Sequence, residues 1–423
     1  MSQKRAQKTP NTSFTQCDIV IVGAGIVGQT LALLLNQAGQ AQSKSTKTDE
    51  KPPLSIVIVD SQEALDTAEA AESPTFSPRV SAISAASQKV LEQAGVWDAI
   101  KRKQAYTQMQ VWESDGFGNI DFNAKEIKAA SLGYIIENDQ IVSGLYSKGL
   151  EKGIDYRLGQ RIESINMDST NTQNSPCQLA LSNGSQISAK LLVGADGANS
   201  FVREKLGFRQ TFWDYGHTAI VANLHTELKH ADTARQAFMP SGPLAFLPLA
   251  DAHQCSIVWS QQTDEAKRLL ALPDAAFCKE IAIGIDMHLG QCELSSKRFS
   301  FGLRMRYCRQ WVDESAVLIG DAAHTIHPLA GQGANLGIGD ALALAENISA
   351  SIEQGKSFYA KQQLRKYERY RKAQAQKVIA SMEGFKQLFA GDLPAKKFIR
   401  NLGLAGANKI SAVKQFFIQQ AEG

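Results

Sequence analysis

The chain has 423 residues, with 45 Lys and Arg against 42 Asp and Glu and 43% hydrophobic residues. That suits a globular protein of two to three domains, or one large composite, and excludes a disordered polyelectrolyte. Six scattered cysteines with no CxxC pair and no His/Cys cluster argue against a disulfide framework or a metal site and imply a reducing compartment, and no apolar run of about 18 residues offers a membrane span.

Residues 1–16, MSQKRAQKTPNTSFTQ, are basic and lack the apolar stretch of a secretory leader, so they read as a disordered tail. The apolar run Ile19–Val22 then leads into GAGIVG and an apolar helix, the place of a strand-to-helix turn that binds a dinucleotide. Gly23 permits the tight turn, Gly25 lets backbone approach a pyrophosphate, and Gly28 lets the helix close on the strand, whose N–H groups face the phosphates. Leu54–Val59 is the next strand and Asp60, at its end, is placed to bind a ribose hydroxyl, although the polar stretch 40–53 lengthens the usual spacing.

A polar stretch, 61–78, precedes a helix with Ile83, Val90, Leu91 and Val96 on one face. Period-two alternation over Met109–Phe122 predicts a hairpin, 145–156 a helix, and 178–193 a second hairpin turning at Asn183 and Gly184. The last of these strands enters GADGANS, where Asp196 and Gly197 stand at a strand's carboxyl end. A strand-rich region, 212–260, is expected to share one sheet with the 109–122 hairpin.

Ala316–Gly320 is a further buried strand, and Asp321 closes it where an acid can meet a sugar-alcohol hydroxyl. The loop Pro328–Gly333 opens a helix near Gln332, whose positive N-terminus favours the negative charge of a reduced flavin. His324 and His327, three positions apart without a third ligand, read as structural or flavin-adjacent, so no metal is expected. From Lys356 onward 14 Lys and Arg face four Asp and Glu, a balance of +10 that leaves −7 for the rest. This segment is helical in pattern, with Met382, Phe385, Leu388 and Phe389 at helix spacing and Pro394 beyond them. Its apolar side either packs on the body or a second copy of the chain, or rests on an anionic membrane. No nucleic-acid-binding module accompanies the charge.

The fold class is therefore α/β: a Rossmann-like dinucleotide-binding domain, which the resemblance carried by its motifs implies to be an FAD-binding domain of aromatic-hydroxylase type, interrupted by a β-sheet substrate domain and followed by a helical C-terminal tail. The boundaries read as 17–103, 132–209 and 296–355 for the FAD-binding portion, 104–131 and 210–295 for the substrate domain, and 356–423 for the basic segment.

GDAAHTIHPLAGQGANLG from Gly320 to Gly337 resembles the hallmark of class A flavoprotein aromatic hydroxylases, and within them of the ubiquinone-biosynthesis hydroxylases. RVSAISAAS (79–87), LGYIIEN (132–138), GADGANSFVR (194–203), TFWDYGH (211–217) and GPLAFLPLADAHQCSIVWS (242–260) carry the same resemblance over nearly the whole chain, nearest to the bacterial 2-polyprenylphenol hydroxylases. Asp60 replaces the family's common Glu, and Ala334 its common Val. The resemblance implies FAD held by Gly23, Gly25, Gly28 and Asp60, with Arg79 near the pyrophosphate. Asp196 and Gly197 would serve the dinucleotide and its reductant, Asp321 the ribityl chain, and Pro328, Gly331, Gly333 and Asn335 the isoalloxazine.

It further implies that NADPH or NADH supplies electrons, that dioxygen supplies the atom inserted, and that the substrate is a polyprenylated phenol. Tyr215 and His217 are the candidates for contact with the phenol, and Phe238, Leu244, Phe246, Leu247 and Trp259 for an apolar lining. The expected setting is the bacterial cytoplasm, peripheral to the inner membrane, with the basic segment docking on lipid or on a biosynthetic assembly. Rival readings are a hydroxylase of another ring position or substrate, a flavin-dependent halogenase or prenyl reductase, and a noncatalytic FAD-binding scaffold. The halogenase is disfavoured because no WxWxIP occurs.

Overall fold

The computed structural model describes residues 13–45, 54–65, 73–114, 116, 118–167, 177–325 and 332–389, and of 40–45, 332 and 381–389 the backbone alone. Pro328, Gly331, His327 and Pro394 lie outside these residues.

The chain opens with β1 (Phe14–Val22), α1 (Ile26–Ser45) and β2 (Ile56–Val59), the expected βαβ start. β3 (Val80–Ile83), α2 (Ala85–Gln93) and β4 (Gln104–Tyr106) follow, then β5 (Gln108–Glu113) and β6 (Asn119–Asn123). β7 (Gly133–Glu137), α3 (Asn138–Glu151) and β8 (Asp155–Arg157) return the chain to the first sheet, where β9 (Ile162–Met167), β10 (Cys177–Leu181) and β11 (Gln186–Gly194) form a meander. After the short α4 (Phe201–Lys205) come β12 (Gln210–Thr226), β13 (Thr233–Met239), β14 (Gly242–Pro248), β15 (Gln254–Gln262), α5 (Thr263–Ala271), α6 (Asp274–Gly284), β16 (Cys292–Leu294) and β17 (Phe299–Cys308). The chain closes through β18 (Val312–Asp313), β19 (Ala316–Leu318), β20 (His324–Thr325), α7 (Gln332–Glu353) and α8 (Lys361–Phe389).

Three sheets result. The first runs β18-β19-β11-β1-β2-β8, with β9 and β10 attached to β11. Its four central strands are parallel and covered on both faces, which is why Ile19–Ile21, Ile56–Val59 and Leu191–Val193 are near-continuous apolar runs, all buried. The second runs β20-β17-β12-β15-β14-β13-β5-β6, and the third, of three strands, is β3-β7-β4.

Strand pairing moves three expected boundaries. Phe14–Gln16, expected in the tail, already pair with Gln186–Ser188. Gln104–Tyr106, expected in the substrate domain, pair with β7 in the small sheet. Phe299–Cys308, expected in the FAD-binding portion, pair with β12 from Gln210 to Val221, so the second sheet reclaims the chain after 296. The helix expected at 145–156 begins at Asn138 and ends at Glu151; Gly153, at φ +72°, turns the chain into β8. The 109–122 hairpin and the 212–260 region do share one sheet, through parallel pairing of β5 with β13.

Candidate active site

The three glycine motifs leave the carboxyl ends of adjacent parallel strands. GAGIVG follows β1, GADGANS follows β11 and GDAAH follows β19, while Asp60 follows β2 on the other side. The ends are laced together by backbone bonds: Gly23 N–H donates to Val59 O at 2.8 Å, Ala195 N–H to Val22 O at 2.8 Å and Ile319 N–H to Gly194 O at 3.0 Å. The strands that lead to Asp60 and Asp321 are three spacings apart in the sheet, about 14 Å, a separation suited to the two ends of an extended dinucleotide.

The glycines differ in what surrounds them. A Cβ on Gly23, itself at φ +112°, would lie 2.3 Å from Ala195 O, and one on Gly28 would lie 2.1 Å from Gly23 O, so both are demanded by the fold. A Cβ on Gly25 or Gly333 would meet nothing within 4 Å among the described residues. Gly25 immediately precedes α1 and Gly333 lies in the first turn of α7, so among the described residues open space adjoins the N-termini of these two helices. Two open helix N-termini, each near a strand-end carboxylate, fit the pyrophosphate and flavin ends of FAD.

The acids are held by local bonds. Asp60 Oδ2 accepts from Ala24 N–H at 2.6 Å and Oδ1 from Gln62 N–H at 2.8 Å. Asp196 turns Oδ2 to the start of α4, accepting from Phe201 N–H at 2.7 Å and Val202 N–H at 3.1 Å, so one of its oxygens caps a helix rather than facing the cleft. Asp321 reaches solvent yet is crowded by protein on most sides; desolvation raises its pKa against the pull of His324 and Arg79. Arg79 is exposed and its carbonyl accepts from Asn138 N–H at 2.9 Å, joining β3 to the start of α3. Asn335 is spent on backbone: its Oδ1 accepts from Ser84 N–H at 3.0 Å and its Nδ2 donates to Ala82 O at 2.7 Å. It fixes the start of α7 against the β3–α2 junction.

Several residues that the motifs did not single out organise the site. Asp340, wholly buried on α7, accepts from Gly320 N–H at 3.0 Å and His324 Nε2 at 2.6 Å through Oδ2, and from Arg371 Nε at 2.6 Å through Oδ1. Burial alone would raise the Asp340 pKa, but His324 and Arg371 hold it below the usual carboxylate range. Arg203, the last residue of GADGANSFVR, donates to Ala322 O at 3.1 Å and Ala198 O at 2.8 Å, tying the second motif to the third. A cavity of about 530 Å³ opens beside Gln62, lined among the described residues by Thr75, Ser77, Arg102, Glu137 and Gln140. Arg102 and Glu137 pair within it at 2.8 Å, and Glu137 Oε1 also accepts from Ser77 N–H at 2.5 Å, which pins the chain just before Arg79.

Strand alternation sorts the lining candidates. Leu244 and Phe246 of β14 and Trp259 of β15 lie on the face covered by α5 and α6, with Trp259 6.1 Å from Phe277; they are core and do not line the cleft. Leu247 lies on the opposite face, against Ile135, Phe76, Val80 and Tyr106 of the small sheet. Phe238 shares that second face by register, one residue out of step with Ala237 of the helix-covered core. Asn223 and Ser256, also on it, bond to Phe76 O and Pro78 O, so this face looks towards Arg79. Phe299 and Phe301 of β17 belong to it through Val221 and Ala219, and both are about half exposed.

His217 is on this face too, paired with Leu303, beside a bulge where β12 shifts register between Asp214 and His217 and Gly216 adopts φ +65°. Its Nδ1 lies 2.7 Å from Tyr215 O. A carbonyl only accepts, so Nδ1 carries a proton, and the tautomer this selects for the uncharged ring has its lone pair on Nε2. Tyr215 Oη donates to Met305 Sδ at 3.4 Å.

This fold and site define an FAD-dependent aromatic-ring monooxygenase. The FAD binding domain family matches residues 16–382. The 3-demethoxyubiquinol 3-hydroxylase of Escherichia coli is 34% identical, covering 96% of this chain and 98% of that one. The ubiquinone hydroxylase UbiL of Rhodospirillum rubrum is 31% identical, covering 96% and 89%. The crystal structure of p-nitrophenol 4-monooxygenase PnpA from Pseudomonas putida shares the fold with a TM-score of 0.75 at 18% identity, covering 97% and 99%. The chain belongs to the ubiquinone-biosynthesis hydroxylases, a family of FAD-dependent monooxygenases whose members use NAD(P)H and dioxygen.

Proposed function

We propose that the chain hydroxylates the ring of a polyprenylated phenol in ubiquinone biosynthesis, as a 2-polyprenylphenol 6-hydroxylase. The observation that carries this reading is the juxtaposition on one sheet face of His217, with an acceptor nitrogen, and the apolar Phe238, Leu247, Phe299 and Phe301, on the side turned towards Arg79. A ring with a long isoprenoid substituent needs both a polar contact at its hydroxyl and an apolar path for its tail.

When bound, FAD supplies dioxygen activation with electrons from NADPH or NADH. The chain's own residues do the rest. Gly25 and the α1 N-terminus receive the pyrophosphate, Asp60 a ribose hydroxyl, Asp321 the ribityl chain, and Gly333 with the α7 N-terminus the flavin ring. Asp340 and Asn335 hold that helix start in register. His217 Nε2 accepts a proton from the phenol hydroxyl, which enriches the ring in electron density at the carbon attacked. The sheet face above the small three-stranded sheet excludes water from the reacting ring.

Among the described residues no helix is long and apolar enough to cross a membrane, and we place the protein in the bacterial cytoplasm, peripheral to the inner membrane. The test is deletion of the gene in its host and mass analysis of the accumulating quinone precursor. A precursor lacking one hydroxyl at ring carbon 6 is expected; unchanged ubiquinone with no precursor would overturn the reading.

A further inference from the structure

We propose that the outward face of α8, with the strand ribbon beside it, is a docking surface for an anionic lipid bilayer. Among the described side chains of α8 the exposed charged ones are Arg365, Lys366, Arg369 and Lys377; the one acid before residue 381, Glu368, is buried, accepts from Trp311 N–H at 2.8 Å and lies 3.8 Å from Arg365 Nε. Lys361, at the start of the helix, is matched by Asp313 at 2.7 Å and Glu314 at 3.3 Å, so the cationic stretch begins one turn later.

Contacts carry this charge onto the second sheet. Lys372 Nζ donates to Arg309 O; Arg309 N–H donates to Arg209 O at 2.9 Å and its Nε to Thr211 Oγ1 at 3.3 Å. Arg209 and Arg309 are both exposed. The residues that follow Thr211 are Phe212 and Trp213, 67% and 52% exposed, and Tyr370 on α8 is 57% exposed. From Gln210 to Asp214, β12 pairs with β17 alone, since β15 joins it only from His217 onward. The aromatic pair therefore stands on a two-stranded ribbon that projects past the third strand, and successive residues show a ring on each of its faces.

Charge complementarity chooses the occupant. Lys366, Arg369 and Lys377, with no acid in ion-pair reach among the described residues, are flanked by Trp, Phe and Tyr rather than by an aliphatic stripe, which suits anionic headgroups with aromatic rings at the interface. Asp214, the acid on the ribbon, is taken up by Arg304 at 3.0 Å. The surface adjoins the Tyr215–His217 bulge, so docking would bring the proposed substrate site close to lipid. That purpose rests on the prenylated-phenol reading; the surface itself does not.

The experiment uses the full chain with FAD bound, sedimented with vesicles of phosphatidylcholine mixed with phosphatidylglycerol, and with pure phosphatidylcholine. The expected result is preference for the anionic vesicles, a partition coefficient lowered roughly tenfold or more in Arg365→Glu/Arg369→Glu, and a similar loss in Phe212→Ser/Trp213→Ser. Trp213, the one tryptophan of five more than half exposed, should shift its emission to the blue on binding. Both variants should retain flavin and turn over a short-chain, water-soluble phenol as the wild type does. Wild-type affinity for anionic vesicles in both variants, or equal binding to neutral vesicles, would overturn the proposal. Lipid binding by a protein that hydroxylates no phenol would overturn the functional reading and leave this one standing.

Discussion

Val27 of α1 is seated against Gly337 of α7, its Cγ2 2.5 Å from the point where a Cβ on Gly337 would lie, and the same side chain packs on Gly320 at 3.2 Å from that residue's Cβ position. The first motif and the third are thus one packed unit, and the two helix N-termini offered to the cofactor are set relative to each other by a valine on a glycine.

Gly337→Ala should therefore force the helices apart. Overpacking of this kind costs about 1–3 kcal/mol, visible as a lowered urea midpoint, and it should weaken FAD binding measured by flavin fluorescence. Val27→Ala in the same chain should restore most of both losses. Failure of the second change to rescue the first would separate the two residues energetically.

Gly25 and Gly28 should part company in a way that tests the cofactor cradle. Gly28→Ala places a methyl 2.1 Å from Gly23 O, so soluble yield and stability should fall with or without FAD. Gly25→Ala places it in open space, so the apoprotein should unfold at the wild-type midpoint while FAD affinity drops tenfold or more, about 1.4 kcal/mol or above. Retained FAD affinity in Gly25→Ala would move the pyrophosphate elsewhere.

The glycine motifs and the strand-end acids were legible because backbone geometry demands particular residues at particular offsets from a strand. Sidedness was less legible. Leu244, Phe246 and Trp259 looked like lining because a buried apolar strand residue carries no label for which face is covered by helices; only the register with β15 and the α5–α6 pair decides it. The reach of β17 into the second sheet was hidden for the same reason, since its ten residues earn their place by pairing with β12 across a long sequence gap. Asp340 and Arg371 carry no motif of their own as single residues on helices; a carboxylate in the otherwise apolar middle of α7 was the available signal.

Removal of Arg371 should expose how much the site leans on the C-terminal helix. Arg371→Met leaves the buried Asp340 carboxylate with His324 and one backbone N–H, and breaking a buried pair from one side typically costs about 3–5 kcal/mol. Arg371 Nη2 also donates to Leu336 O at 3.0 Å, so the first turns of α7 should loosen and FAD should dissociate faster. Urea unfolding of apoprotein and holoprotein would give both effects. A variant with wild-type stability would show that the pair is replaced by solvent without penalty.

Acid should act on the same network with a definite sign. Asp340 titrates below its unfolded value of 3.8, so its ionised form stabilises the fold above that value and the contribution is lost as pH falls through the lower, folded pKa. Asp340→Asn should consequently be less stable than wild type at neutral pH, and the gap should narrow below about pH 4. Unfolding midpoints across an acid series would check it; a gap that stays constant or widens in acid would contradict the direction of the shift.

His217→Ala tests the chemistry directly. If Nε2 takes the phenol proton, turnover should fall about 100-fold or more, the usual range for a lost general base, and activity should recover as pH rises towards the substrate's own ionisation. Tyr215→Phe removes only the hydroxyl that donates to Met305 and leaves the carbonyl that orients the imidazole, so it should cost far less. Oxygen consumption in step with product formation, recorded across pH for both variants, distinguishes a base from a packing residue. Equal turnover in wild type and His217→Ala would show that the ring loses its proton to another acceptor.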